Sequence, residues 1–154
     1  MAELSEGHIE KYLRGEVELR ELARLSAEQV QQLRKRAQMF IDGGHDERAL
    51  VMLEMLEELD RKDTTAAIKA IDTLLALGKS GEAMTKVQRL LALEPKSYDG
   101  RLARAKVEIA TGQWALAATT LQQLVKEDPT AQTEAGKRAH ALARQAHGLF
   151  EASR

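Results

Sequence analysis

The chain has 154 residues, 44% hydrophobic, 31% charged and 3% aromatic, with two prolines; this suits one folded helical domain rather than a disordered chain or a sheet protein. It has no cysteine, which excludes disulfides, thiol nucleophiles and Cys-ligated zinc. A formal net charge of -1 supplies no global positive field, which argues against nucleic acid and anionic lipid as partners.

Residues 1–29 read as an N-terminal helical segment. The start, Met1-Ala2-Glu3-Leu4-Ser5-Glu6-Gly7, lacks the basic stretch and apolar run of a secretory signal. No apolar run in the chain approaches the roughly 20 residues that span a bilayer, so the expectation is a cytoplasmic protein without a membrane partner. Ile9, Leu13, Val17, Leu19 and Leu22 recur at roughly helical intervals, broken only by Gly15. Ser26 with Gln29 forms a capping box, and Leu25 with Val30 a hydrophobic staple, marking the start of the next helix.

An internal repeat then takes over, with units expected at 30–63, 64–97 and 98–131. Gly44, Gly78 and Gly112 stand 34 residues apart. In the same register come Ala49, Ala83 and Ala117, then Leu53, Val87 and Leu121, then Leu56, Leu90 and Leu124, and finally Asp60, Glu94 and Asp128. Pro95 and Pro129 follow the second and third acids; Arg61 follows the first. The glycine suits a turn between two helices, because a residue without Cβ accepts positive φ. The alanine permits close helix approach, met from the first helix by Ala37, Ile71 and Ala105, and the leucines fall on one buried face. Ser80 and Ser97 read as further N-caps. Residues 132–154 place Ala135, Ala139, Leu142, Ala146, Leu149 and Phe150 on one stripe, as a capping helix would.

This 34-residue register resembles the tetratricopeptide repeat (TPR). The expected fold is all-α: three stacked helix-turn-helix repeats with N- and C-terminal capping helices in a short right-handed superhelix. Over roughly residues 9–60, Tyr12-Leu13-Arg14-Gly15, Leu25-Ser26, Glu28, Leu33, Gly44, Ala49, Leu53 and Leu59-Asp60 resemble the class II chaperones of type III secretion. That resemblance implies a cytoplasmic chaperone whose concave groove holds an extended segment of a secreted client. It also implies self-association through the N-terminal segment, here Ile9, Leu13 and Leu22. A scaffold subunit of a larger assembly is the alternative.

Enzymatic signals do not survive inspection. Gly78-Lys79-Ser80 imitates the end of a phosphate loop, but Thr73 stands where that loop needs a glycine. His140 and His147 lie two helical turns apart, about 10.5 Å, too far to share a metal ion; His8 and His45 have no partner in sequence. Glu54, Glu57, Glu58 and Asp60 read as a solvated helix face, as does Arg34-Lys35-Arg36. No catalytic residue, cofactor or metal is expected. The TPRs that clamp the C-terminal carboxylate of heat-shock chaperones use asparagine; this chain has none, Gln38 stands at the first such position, and Asp99 falls where a base belongs.

In stacked repeats the first helices line the concave face, and residues three or four apart share it. The expected peptide-binding groove comprises Arg34, Gln38 and Ile41 of the first unit, Ile68, Asp72 and Leu75 of the second, and Leu102, Lys106 and Ile109 of the third, with Gln31, Thr65 and Asp99 beside them. The apolar members fit two roles, client anchors or inter-helix core.

Overall fold

Capping chemistry sets the helix boundaries. The computed structural model describes residue 11 and residues 14–153. It begins with a short α1 (Leu19–Leu22) and α2 (Ala27–Asp42). The expected capping box opens α2: the Gln29 amide donates to Ser26 Oγ at 3.1 Å, and the Ser26 amide to Gln29 Oε1 at 2.8 Å. There follow α3 (Asp46–Leu59), α4 (Thr64–Ala76), α5 (Ser80–Leu93), α6 (Tyr98–Ala110), α7 (Trp114–Glu127) and α8 (Glu134–Ala152). Among the described residues, all regular structure is helical. None of these helices is long and apolar enough to cross a membrane.

Three first helices end in the same way. Gly44, Gly78 and Gly112 have φ of +70°, +73° and +74°. Their amides donate to the carbonyls of Ile41, Leu75 and Ile109 at 3.0–3.1 Å, while the next amides, of His45, Lys79 and Gln113, reach back to Phe40, Leu74 and Glu108 at 2.8 Å. This is the Schellman pattern, which satisfies the last carbonyls and starts the partner helix at once. Lys79, without a side-chain cap bond, is the N-cap of α5, so Ser80 is that helix's first residue and not the cap expected from sequence. Ser97 does cap α6, accepting the Gly100 amide at 3.1 Å.

The closing acids also share a geometry. Asp60, Glu94 and Asp128 donate their amides to Leu56, Leu90 and Leu124, and their carbonyls accept from Asp63, Ser97 and Ala131. Asp63 and Ser97 then accept the Thr65 and Gly100 amides, launching α4 and α6. Ala131 has no acceptor; it takes φ of +51°, and the cap shifts to Thr133, which accepts the Gly136 amide at 2.8 Å. Asp128 stabilises this altered turn, accepting from the Gln132 amide at 3.0 Å and the Thr133 hydroxyl at 3.0 Å. The first unit's departure, Arg61 in place of proline, has its own use. Its amide, a donor that proline lacks, bonds the Glu18 carboxylate at 3.2 Å and ties the start of α1 to the end of α3.

The chain forms two compact units, one ending at Thr73 and the other beginning at Leu74, so the second repeat crosses the division. In the first unit α2 packs on α3, and α1 touches α3. In the second, α6 packs on α5, α7 and α8, and α7 on α8. Ala49, Ala83 and Ala117 are fully buried, as are Ile71 and Ala105, while Ala37 is 1% exposed. The α8 stripe contributes Ala139 and Ala146 to a core with Leu102, Ala105, Ala117, Leu121 and Leu124. Gly100, which the repeat columns do not single out, lets α6 approach α5: a Cβ there would lie 2.6 Å from a Leu90 methyl. Of the apolar residues assigned to self-association, Ile9 and Leu13 lie outside the described residues; Leu22 falls within α1.

Two outcomes follow from these joints. A Cβ on Gly78 would meet nothing within 4 Å, so Gly78→Ala costs only the left-handed backbone, about 1 kcal/mol in urea unfolding. Ala117→Leu overpacks a closed site and should cost about 1–3 kcal/mol. The second outcome concerns acid. Hydrogen bonds from the Gln132 and Thr133 amides hold the Asp128 carboxyl below the usual carboxylate range. A pKa lowered on folding adds stability above the unfolded value, about 3.9, which is lost as pH falls through the folded one. The Tm deficit of Asp128→Asn should therefore shrink as pH is lowered from about 5 to 3; a constant deficit would assign the effect to something other than the charge.

Candidate functional site

In the first unit, α2 and α4 wall a groove of about 280 Å³ whose floor is Leu53 and Leu56 of α3. Gln31, Arg34, Lys35 and Gln38 line it from α2, at the spacing of one helical face, and Thr65, Ala66 and Lys69 from α4. The walls are cross-linked. The Lys69 ammonium donates to Gln38 Oε1 at 2.8 Å, and Gln38 Nε2 donates in turn to Asp42 at 2.8 Å. Arg34 pairs with Asp63, the residue that also caps α4. Both side chains are largely covered, 28% and 17% exposed, so the pair fixes the start of α4 against α2. No carboxylate lines the groove directly, and its polar rim is cationic and amide in character.

Of the expected groove residues, Arg34 and Gln38 line this cleft, as does Thr65. Ile41 lies further along α2, and Ile68 and Asp72 on α4, all half-buried outside the lining. Leu75, Lys106 and Ile109 belong to the second unit and are half-buried. Leu102 is a correction: at 4% exposure it belongs to the core formed with α7 and α8. The capping helix is the reason, since α8 packs on α6 and takes up side chains that an uncapped repeat would leave open. The sequence reading missed Lys69 and Lys35. A signal existed, for they stand 34 residues apart and place a cation in the same column of two successive first helices.

The rejected chemistries find structural roles. His45 packs edge-on to Phe40, with centroids 6.3 Å apart and rings at 83°, closing the turn after α2. His140 Nε2 lies 2.8 Å from the Asp128 carbonyl and anchors α8. Among the described residues no three His, Cys, Asp or Glu side chains gather as a metal site. Asp99 is exposed, and Glu58 pairs with Arg61 at 3.3 Å on the outer face.

Residues 74–145 match the family model described as tetratricopeptide repeat. Sequence comparison with curated proteins gives no match. Among solved structures, the type III secretion translocator chaperone SycD of Yersinia enterocolitica is similar over 84% of this chain and 98% of its own, with 20% identity and a TM-score of 0.73. A type III secretion complex from Aeromonas hydrophila is similar over 95% and 99%, with 18% identity and a TM-score of 0.75. The first TPR of Spaghetti (RPAP3), bound to the HSP90 peptide SRMEEVD, is similar over 82% and 96%, with 12% identity and a TM-score of 0.67. At these identities the likeness concerns the fold. Repeat register, recurring glycine turns, family model and structural neighbours agree that this chain has the tetratricopeptide-repeat fold and resembles the translocator chaperones of type III secretion.

Proposed function

We propose that the protein is a cytoplasmic export chaperone that holds an extended segment of a client protein along its first helices. The observation that carries this reading is the first-unit groove, where an apolar floor lies between cation- and amide-bearing walls. Such a site takes an aliphatic side chain below and the backbone or acidic groups of an extended segment above. Arg34, Gln38 and Lys69 bind there, flanked by Ile41, Ile68 and Asp72. In the second unit Leu75, Lys106 and Ile109 add contacts of the same mixed kind. Likeness to a translocator chaperone and to a TPR with a bound peptide supports a protein ligand. The fold is a binding framework, and the reading requires no catalysis, cofactor or metal.

The client is to be captured by crosslinking in native cytoplasm, identified by mass spectrometry, and titrated with purified protein. Lys69→Glu and Leu75→Glu should each weaken binding at least tenfold, about 1.4 kcal/mol, with the melting transition retained. Glu54→Lys, on the exposed outer face of α3, should leave affinity unchanged. Leu102→Glu should destabilise the fold instead, because it places a charge in a closed core. Binding that survives both groove changes but is lost on altering α8 would make the protein a scaffold subunit.

Self-association through Ile9, Leu13 and Leu22 is part of the same proposal. The double change Ile9→Asp, Leu13→Asp should halve the mass measured by light scattering. An unchanged mass would leave these residues with a role within one chain.

A further inference from the structure

The second unit has a different groove, about 600 Å³, in which α5 and α7 form the sides and α6 supplies Arg104 and Glu108. Met84 and Leu91 stand two turns apart on one face of α5, and Leu116 of α7, 52% exposed, lies across from them. These apolar side chains line a groove on second helices, whereas the client site proposed above belongs to first helices. Glu108 is 1% exposed and is a buried acid of this unit. Its carboxylate accepts from Arg104 Nε at 2.8 Å and from Thr120 Oγ1 at 3.3 Å. Burying a carboxylate seldom adds net stability over a well-packed apolar residue, so packing alone does not account for it. What it does is hold a guanidinium in place. Arg104 is 48% exposed, and its two Nη atoms have no hydrogen bond or ion pair among the described residues. A guanidinium anchored through Nε offers both terminal amino groups to one incoming carboxylate, the bidentate geometry that favours arginine over lysine.

We infer that this groove is a second docking surface, for an amphipathic helix of a partner protein that carries aliphatic side chains with an acid among them. The apolar sides suit a helix laid between α5 and α7, and Met84 adapts its shape to the anchor it meets. Arg104 selects the charge, and Glu108 is its positioning residue.

The probe is a display library of 16-residue helical peptides with leucine fixed at i, i+3 and i+7 and position i+4 randomised, selected on the full-length protein. Asp and Glu should be enriched at i+4 at least tenfold over Lys and Arg. On Arg104→Gln this preference should vanish while leucine-dependent binding persists. On Leu116→Lys, whose site is half exposed, selection should fail altogether while binding of the crosslinked client is retained. Equal recovery on Leu116→Lys, preference for a basic residue, or acidic preference persisting on Arg104→Gln would each overturn the inference. So would concentration-dependent self-association lost in Leu116→Lys, which would put a second copy of the chain in the groove.

Discussion

The left-handed glycine at the end of each first helix is the constraint on which the rest depends. At φ near +70° the chain reverses within three residues, and the backbone bonds around Gly44, Gly78 and Gly112 repeat almost to the tenth of an ångström. A turn that short leaves the second helix no choice but to lie against the first. The alanine five residues later then sits where the two axes come closest, and its full burial in all three units follows. Small residues on the facing helix, Ala37 and Ala105, answer it; Ile71 fills the same place in the middle unit and is equally buried.

Once the helix pairs are fixed, the polar side chains at their junctions decide what else is held. Asp63 links three things at once: it closes the turn from Asp60, caps α4 and pairs with Arg34. Arg34, which lines the candidate groove, therefore brings hydrogen-bonding capacity more than net charge to it, because its charge is already met by a covered carboxylate. Lys69 and Lys35 have no ion pair among the described residues and give the groove its positive sign. In the second unit the same economy puts a buried acid beneath Arg104 and leaves the outer edge of that guanidinium open.

Repetition made the framework legible. A property shared by every unit, such as a turn glycine or a buried leucine, appears in the sequence as a column, and the columns gave helix, turn and core. Features that occur once leave no column. The shift of the α8 cap to Thr133 depends on Ala131 lacking a side-chain acceptor, the close approach at Gly100 depends on the Leu90 methyl opposite, and the use of the Arg61 amide depends on the Glu18 carboxylate beside it. The groove was half legible for a related reason. Helical spacing told which residues share a face, and Arg34 and Gln38 both line the first-unit cleft. It did not tell that α8 would cover Leu102, because that depends on contact between elements far apart in sequence.

Magnitudes bear on what kind of holding such a surface can supply. A cleft of about 280 Å³ has room for an aliphatic side chain or two, each worth roughly 1.5–3 kcal/mol when buried. Its floor residues are already 1% and 2% exposed in the free protein, so the gain comes from the client's apolar area and little from the protein's own. Contacts to exposed lysines add about 0–1 kcal/mol each. Ordering an extended segment subtracts from the total. Micromolar binding needs about 8 kcal/mol, more than this one cleft provides, which is why contacts are also proposed at Leu75 near the end of α4 and at Lys106 and Ile109 of α6. Affinity assembled from several modest contacts weakens stepwise as each is displaced, and the proposed holding and release of a client would require that property more than tightness.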